Sequence, residues 1–256
     1  MKIRILGAHN IESKDTRYIS LLIDDVLAID AGALTSSLSQ SDQQKLKAVL
    51  VTHQHYDHMR DVPALGMNFY VSDNTLDIYG AKAVYYVLTA HLLNDIVYPN
   101  YLNKPEQKPS LRFTEMEAGK SVTVAGYTVL TVPVTHAYPT TGYQVTAADG
   151  KKVFYSGDTG PSLADAWRQI SPDLLIIEVT MLNKWHEFAL QTGHLTAELL
   201  KQELESFREI KGYLPQVVLV HMNPLDEKAI KNEVAAAAGA LKTTIRFGRE
   251  GMILRL

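Results

Sequence analysis

Short apolar runs recur along the chain, each cut off by a polar or glycine-bearing turn. They are Ile3–Leu6, Ser20–Ile23, Val26–Ile29, Ala48–Val51, Tyr127–Val132, Val153–Tyr155, Leu174–Ile177 and Val217–Val220. Their length and β-branched content predict strands, several of them buried on both faces. Strand signals return at 244–255. Helical patterning appears in three places. Ala81–Asn94 is rich in Ala, Leu and Tyr. Leu195–Phe207 carries Leu195, Leu199, Leu200 and Leu204 at helical spacing among polar residues, and Lys228–Leu241 is alanine-rich. Asn100–Ser110, with two prolines and several polar residues, reads as a surface loop. With no repeat and no long linker, one α/β domain over residues 1–256 is the economical reading.

The polar residues that end these runs are of one kind. Asp30 follows Val26–Ile29, His53 follows Ala48–Val51, and His136 lies just beyond Tyr127–Val132. Asp158 lies just beyond Val153–Tyr155, and His221 comes directly after Val217–Val220. Residues at the same ends of neighbouring strands can meet at one sheet edge, where α/β proteins tend to carry their sites.

The densest cluster is Thr52-His-Gln-His-Tyr-Asp-His58. Imidazole nitrogens with a carboxylate suit zinc, manganese or iron. In an extended segment residues two apart share a side, so His53 and His55 can bind one ion. Asp57 and His58, where the chain turns into a helix, can address a second. His136, Asp158 and His221 complete the ligands that two ions require, with Asp158 suited to bridging because a carboxylate has two oxygens. A polar loop with incidental histidines is the bland alternative, and nine histidines in the whole chain make three within this run a poor fit to it.

Composition narrows the class. Hydrophobic residues are 46% and charged residues 21% of the chain, as in ordinary globular proteins, and the formal net charge is −3. That balance gives no bulk attraction to nucleic acid or an anionic membrane. There are no cysteines, so any metal must be held by nitrogen and oxygen. Neither a signal-peptide pattern nor a bilayer-length apolar stretch is present, and a cytoplasmic location is the default expectation.

The ordered set Asp30-Ala-Gly, His-x-His-x-Asp-His at 53–58, His136, Ser-Gly-Asp158-Thr-Gly and His221 resembles the metallo-β-lactamase superfamily. The resemblance spans nearly the whole chain and implies a four-layer αββα sandwich with metals at one edge of two sheets. It implies that His53, His55 and His136 hold one metal and that Asp57, His58 and His221 hold the other, with Asp158 between them. Zinc is the first choice of metal, with manganese or iron as alternatives. Asp30 would hydrogen-bond the ligand loop and fix a histidine tautomer.

Within the superfamily, Thr192-Gly-His-Leu-Thr196 resembles the phosphodiesterase branch, which contains tRNA 3′-processing endonucleases and class II cyclic-nucleotide phosphodiesterases. The amides of the following helix would favour a phosphate, and His194 would bind it or protonate the leaving oxygen. Only 21 residues separate His136 from Asp158, too few for the basic arm of the tRNA-processing enzymes. The expectation is a dinuclear hydrolase of small diesters such as 3′,5′-cyclic nucleotides, with Asp57, Asp158 and His194 as catalytic residues. Its partner would be the diester itself, with neither membrane nor nucleic acid, and a homodimer is compatible. Lactone, thioester or β-lactam hydrolysis is the alternative chemistry, a tRNA 3′-processing-like endonuclease the alternative within the branch, and a non-hydrolytic metal- or oxygen-binding role the remaining reading. The turn Gly7-Ala-His-Asn10 lacks the several glycines common in the branch, and the loop 137–142 offers no matching substrate contact. The loops near 66–75, 95–110 and 137–142 would shape the pocket. His91, Trp167 and Trp185 read as packing or surface residues, His186 as a weak candidate for the entrance, and His9 as a weak positioning residue.

Overall fold

The computed structural model describes residues 1–256. Fourteen strands form two seven-stranded sheets. The first is built from β1 (Lys2–Gly7), β2 (Ser20–Ile23), β3 (Leu27–Ile29), β4 (Ala48–Val51), β5 (Leu76–Gly80) and β6 (Leu111–Glu115). The second contains β7 (Ser121–Val124), β8 (Tyr127–Val134), β9 (Thr140–Thr146), β10 (Lys152–Tyr155), β11 (Leu174–Glu178), β12 (Gln216–Val220) and β13 (Ile245–Phe247). The last strand, β14 (Ile253–Arg255), returns to the first sheet and pairs antiparallel with β1. Sheet order is β14-β1-β2-β3-β4-β5-β6 in one and β13-β12-β11-β10-β9-β8-β7 in the other.

Nine α-helices flank the sheets: α1 (Leu34–Ser37), α2 (Gln40–Gln43), α3 (Tyr56–Met59), α4 (Val62–Val71), α5 (Lys82–Val87), α6 (Ala164–Gln169), α7 (His186–Thr192), α8 (Ala197–Lys211) and α9 (Glu227–Leu241). Three apolar clusters separate the layers. Ile3, Ile5 and Leu21 meet Tyr143, Val145 and Val218 between the sheets. Val49, Val51 and Ile78 pack under Val62, Leu65 and Phe69 on one outer face. Leu175, Ile177 and Leu219 pack under Trp167, Leu200, Leu204 and Val234 on the other. A strand covered on both faces has no polar face to keep, which is why β4 (AVLV) and β11 (LLIIE) read as unbroken apolar runs. The architecture is the expected αββα sandwich. No helix is long and apolar enough to cross a membrane.

Several elements depart from the sequence reading. The helix expected over Ala81–Asn94 stops at Val87 and continues as one π-helical turn, Leu88–Leu92. The helix expected from Leu195 starts at Ala197, because the Thr196 hydroxyl accepts the Leu199 N–H as a cap, and ends where Gly212 turns left-handed. Strands β5, β6, β7 and β9 carry no clear apolar run. β6 and β7 are sheet edges and keep exposed polar residues, while β9 buries Thr140 and Gln144. The segment 66–75, expected as a loop, is half helix, and the loop after His136 ends early because Thr140 already begins β9.

Candidate metal centre

The first sheet delivers its ligands through one turn. Beyond β3, Asp30 adopts a left-handed conformation and lies fully buried. Its Oδ1 accepts the Thr52 N–H at 2.8 Å and its Oδ2 accepts the Thr52 hydroxyl at 3.0 Å. Oδ2 also accepts His58 Nδ1–H at 2.7 Å. Asp30 thus ties the end of β4 to α3 and leaves His58 Nε2 free to face the cluster. Gly32 is required by close approach: a Cβ there would meet the Asp57 carbonyl oxygen at 2.1 Å.

The second sheet supplies the rest. His136 Nδ1 donates to the Gly193 carbonyl at 2.8 Å, which leaves Nε2 to face the cluster. The Thr180 hydroxyl donates to Glu178 Oε2 at 2.6 Å and so accepts from His221 Nδ1 at 2.8 Å. His221 Nε2 then points at Asp57 Oδ2, 3.2 Å away, and Asp158 Oδ1, 3.3 Å away.

The ligand atoms gather into two overlapping groups, His53, His55, His136 and Asp158 in one and Asp57, His58, Asp158 and His221 in the other, all within 4.8 Å in each group. Asp158 is common to both. His53 Nε2, His58 Nε2 and Asp158 Oδ1 are buried without a hydrogen-bond partner. Buried polar atoms are rarely left so, and divalent cations in the two groups would satisfy them, His53 in one, His58 in the other and Asp158 in either. The donor set therefore fits a metal.

Charge runs the same way. Burial lowers the pKa of His53, His55 and His136, which favours the neutral imidazoles that ligate metals. Burial also opposes protonation of His58, but the carboxylates of Asp158, Asp30 and Asp57 overcome it and raise its pKa well above the ordinary range. Burial likewise opposes charge on Asp57 and Asp158, yet neighbouring His58 and His221 hold both carboxyls below the usual range. The carboxylates that draw a proton onto His58 would equally draw a cation.

A third group joins Glu178, His194 and His221. Here Glu178 Oε1 and His194 Nδ1 are already bonded to each other at 2.7 Å. Glu178 is fully buried and also accepts the Thr159 N–H at 2.8 Å. Burial works against an imidazolium at His194, but Glu178 outweighs it and brings the pKa to about 9. The His194 and His221 rings stack with centroids 5.7 Å apart. His194, Asp57, Asp158 and His221 line one open cavity of about 280 Å³ with Asn10 and His55.

One expectation is corrected at this point. Two of the first three amides of α8 are already engaged, since Glu198 N–H donates to Asn183 Oδ1 and Leu199 N–H to the Thr196 hydroxyl. His194 lies between α7 and α8, and its position is set by Glu178 rather than by a helix N-terminus. Glu178 escaped the sequence reading although its signal was the one used five times over: an apolar strand, β11, ending in a potential ligand.

The remaining residues separate cleanly. His9 Nδ1 bonds Glu250 at 2.8 Å, so its ring serves that carboxylate, while its backbone bridges to Met222 beside His221. His186 begins α7 and joins no ligating cluster. His91 is exposed, and Trp167 is fully buried with its N–H on Glu203 at 3.0 Å. Trp185 is half exposed at the surface.

Comparison with known proteins agrees with the geometry. The crystal structure of unliganded yeast PDE1 superposes with a TM-score of 0.84 at 17% identity, covering 100% of this chain and 99% of that one. The metallo-β-lactamase fold protein YhfI from Bacillus subtilis gives 0.77 at 18% identity, with 99% and 98% covered. The short form of human tRNase Z gives 0.68 at 18% identity, with 100% and 99% covered. At such identities these likenesses speak for the fold. No curated protein sequence matches. The family model described as the beta-lactamase superfamily domain matches residues 21–222, which is most of the chain, and the protein belongs to that superfamily.

Proposed function

We propose that this protein is a dinuclear metal-dependent phosphodiesterase acting on 3′,5′-cyclic nucleotides or similar small diesters. The observation that carries the reading is His194, which shares one cavity with Asp57, Asp158 and His221 and is held from behind by the buried Glu178. His53, His55 and His136 would hold one ion and Asp57, His58 and His221 the other, with Asp158 bridging. Bound divalent ions, zinc foremost with manganese or iron as alternatives, would supply Lewis acidity and a water of lowered pKa.

The chain's own residues carry the proton traffic. Asp57, whose carboxylate stays ionised beside His58 and His221, can accept a hydrogen bond from the attacking water and orient it. His194 keeps Nδ1–H on Glu178, so in its protonated form Nε2–H is directed to the substrate. That proton can pass to the leaving oxygen as the P–O bond breaks, leaving a neutral imidazole still anchored by Glu178. A diester suits this layout because it needs a donor opposite the metals. The short connection between His136 and Asp158 is the β9–β10 hairpin, with no room for an RNA-binding arm, which favours small substrates.

The test is a reconstitution plate. Metal-stripped protein is reloaded with zinc, manganese or iron and offered cyclic AMP, cyclic GMP, bis-p-nitrophenyl phosphate and a lactone. Diester turnover above an Asp158→Ala control is expected with at least one metal. Lactone turnover alone would move the assignment to carbonyl chemistry.

A further inference from the structure

Beside the ligand cavity lies a second cleft of about 300 Å³, at the small end of the range for small-molecule sites. Asn10 lines both spaces, and Thr180, which accepts from His221, lines the cleft too. A molecule held in the cleft therefore abuts the centre. Trp185 and Phe188 form an aromatic wall and are 51% and 52% exposed, unusual for residues so large. The polar side consists of Asn10, Asn223 and Asp226.

One of those polar groups, Asp226, is an acceptor without a protein donor. Asp226 stands at the start of α9, yet its carboxylate caps no amide of that helix. An ionised carboxylate only accepts, so an occupant must present N–H groups along a flat edge between aromatic faces. Guanine presents adjacent ring N–H and amino donors on one edge, whereas adenine offers a lone amino group there. A quaternary ammonium group would also suit aromatic rings and a carboxylate. Against it, the Lys184 ammonium already stands 5.6 Å from the Trp185 ring centroid, where a second cation would be repelled.

We propose that this cleft binds the base of a guanine nucleotide, stacked on Trp185 with its two-donor edge on the Asp226 carboxylate. The proposal rests on the phosphodiesterase reading for its consequence, a preference for guanine among cyclic-nucleotide substrates. Guanosine, adenosine and choline are titrated into the metal-stripped protein while tryptophan fluorescence is followed. Neutral nucleosides avoid repulsion from the ligand carboxylates. Trp167 is fully buried, so quenching reports Trp185, and Trp185→Phe should abolish it. Guanosine is expected to quench with at least ~10-fold tighter binding than adenosine, the scale of one good bidentate contact, and Asp226→Asn should erase the difference. In the metal-loaded enzyme Asp226→Asn should lower the ratio of kcat/KM for cyclic GMP over cyclic AMP by a similar factor. Equal quenching by both nucleosides, quenching by choline instead, or an unchanged ratio in Asp226→Asn overturns the proposal. The two readings fail separately. Guanosine quenching without diester turnover on any metal supports the cleft and sinks the phosphodiesterase, whereas turnover of bis-p-nitrophenyl phosphate without nucleoside binding does the reverse.

Discussion

His194 has its pKa raised to about 9 because Glu178 outweighs the cost of burial. Its proton-donating form therefore persists through neutral pH and is lost as pH rises through about 9. Diester turnover in the loaded enzyme should fall on an alkaline limb set by this pair, lying lower than in the stripped protein because neighbouring cations favour the neutral ring. Glu178→Gln should draw the limb down towards the ordinary imidazole value of about 6.5, as a pH–kcat profile would reveal. The same pair stabilises the fold. With a folded pKa above the unfolded one, its contribution is fully present below about pH 6.5 and disappears as pH rises through about 9. Denaturant unfolding of metal-stripped protein across that range would detect it, and Glu178→Gln should flatten the slope. His194→Ala should keep its metal content, read by elemental analysis, while diester turnover drops by at least ~10²-fold. Loss of metal would make His194 a ligand instead. At this scale the sequence was generous. Asp30, His53, His136, Asp158 and His221 each sit just beyond a strand, a position visible in the letters. Glu178 was hidden because an acid after Leu174–Ile177 resembles an ordinary strand end until His194 is seen against it.

Elements explain why those residues stay put. The turn after β3 and the turn into α3 touch backbone to backbone, with the Ala31 N–H on the His58 carbonyl and Gly32 pressed against Asp57. Gly32→Ala has no open space for its methyl, so the turn must shift. Stability should fall by at least ~2 kcal/mol and metal affinity with it, measurable by denaturant unfolding and by competition with a chelator. Thr196→Ala removes only the cap of α8 and should cost about 1 kcal/mol, with metal content unchanged. Elements were also where the sequence was least legible. Central strands covered on both faces announce themselves as apolar runs, but edge strands β6 and β7 keep polar residues towards solvent and resemble loops. The helix over Ala81–Asn94 was visible in composition, while its π-helical turn depends on packing that no local pattern encodes.

Across the whole molecule the centre sits between the two sheets, with His53, His55, Asp57 and His58 from one and His136, Asp158 and His221 from the other. A metal held by both would tie them together. Ligand bound only to the folded state stabilises it by about 2.7 kcal/mol at a hundredfold excess over Kd. Chelation should therefore lower the Tm, and Asp158→Ala should abolish the difference between loaded and stripped protein. The layered fold was legible from the order of runs and from family resemblance. The clefts were not, because Asn10, Trp185 and Asp226 are far apart in the chain and none belongs to a motif.

The division of ligands between the sheets also has a history in time. Asp57 and His221 face each other across the site but are 164 residues apart in the chain. At ordinary synthesis rates the second is made on the order of 10–30 s after the first. During that interval the nascent chain carries His53, His55, Asp57 and His58 as an unfinished chelating cluster, able to pick up whichever ion is at hand. Under the proposed two-ion reading, the second position would select its metal only once β12 docks and delivers His221. The identity of that ion would then be decided late, by the folded protein, and its exchange should be slower once the second sheet has closed.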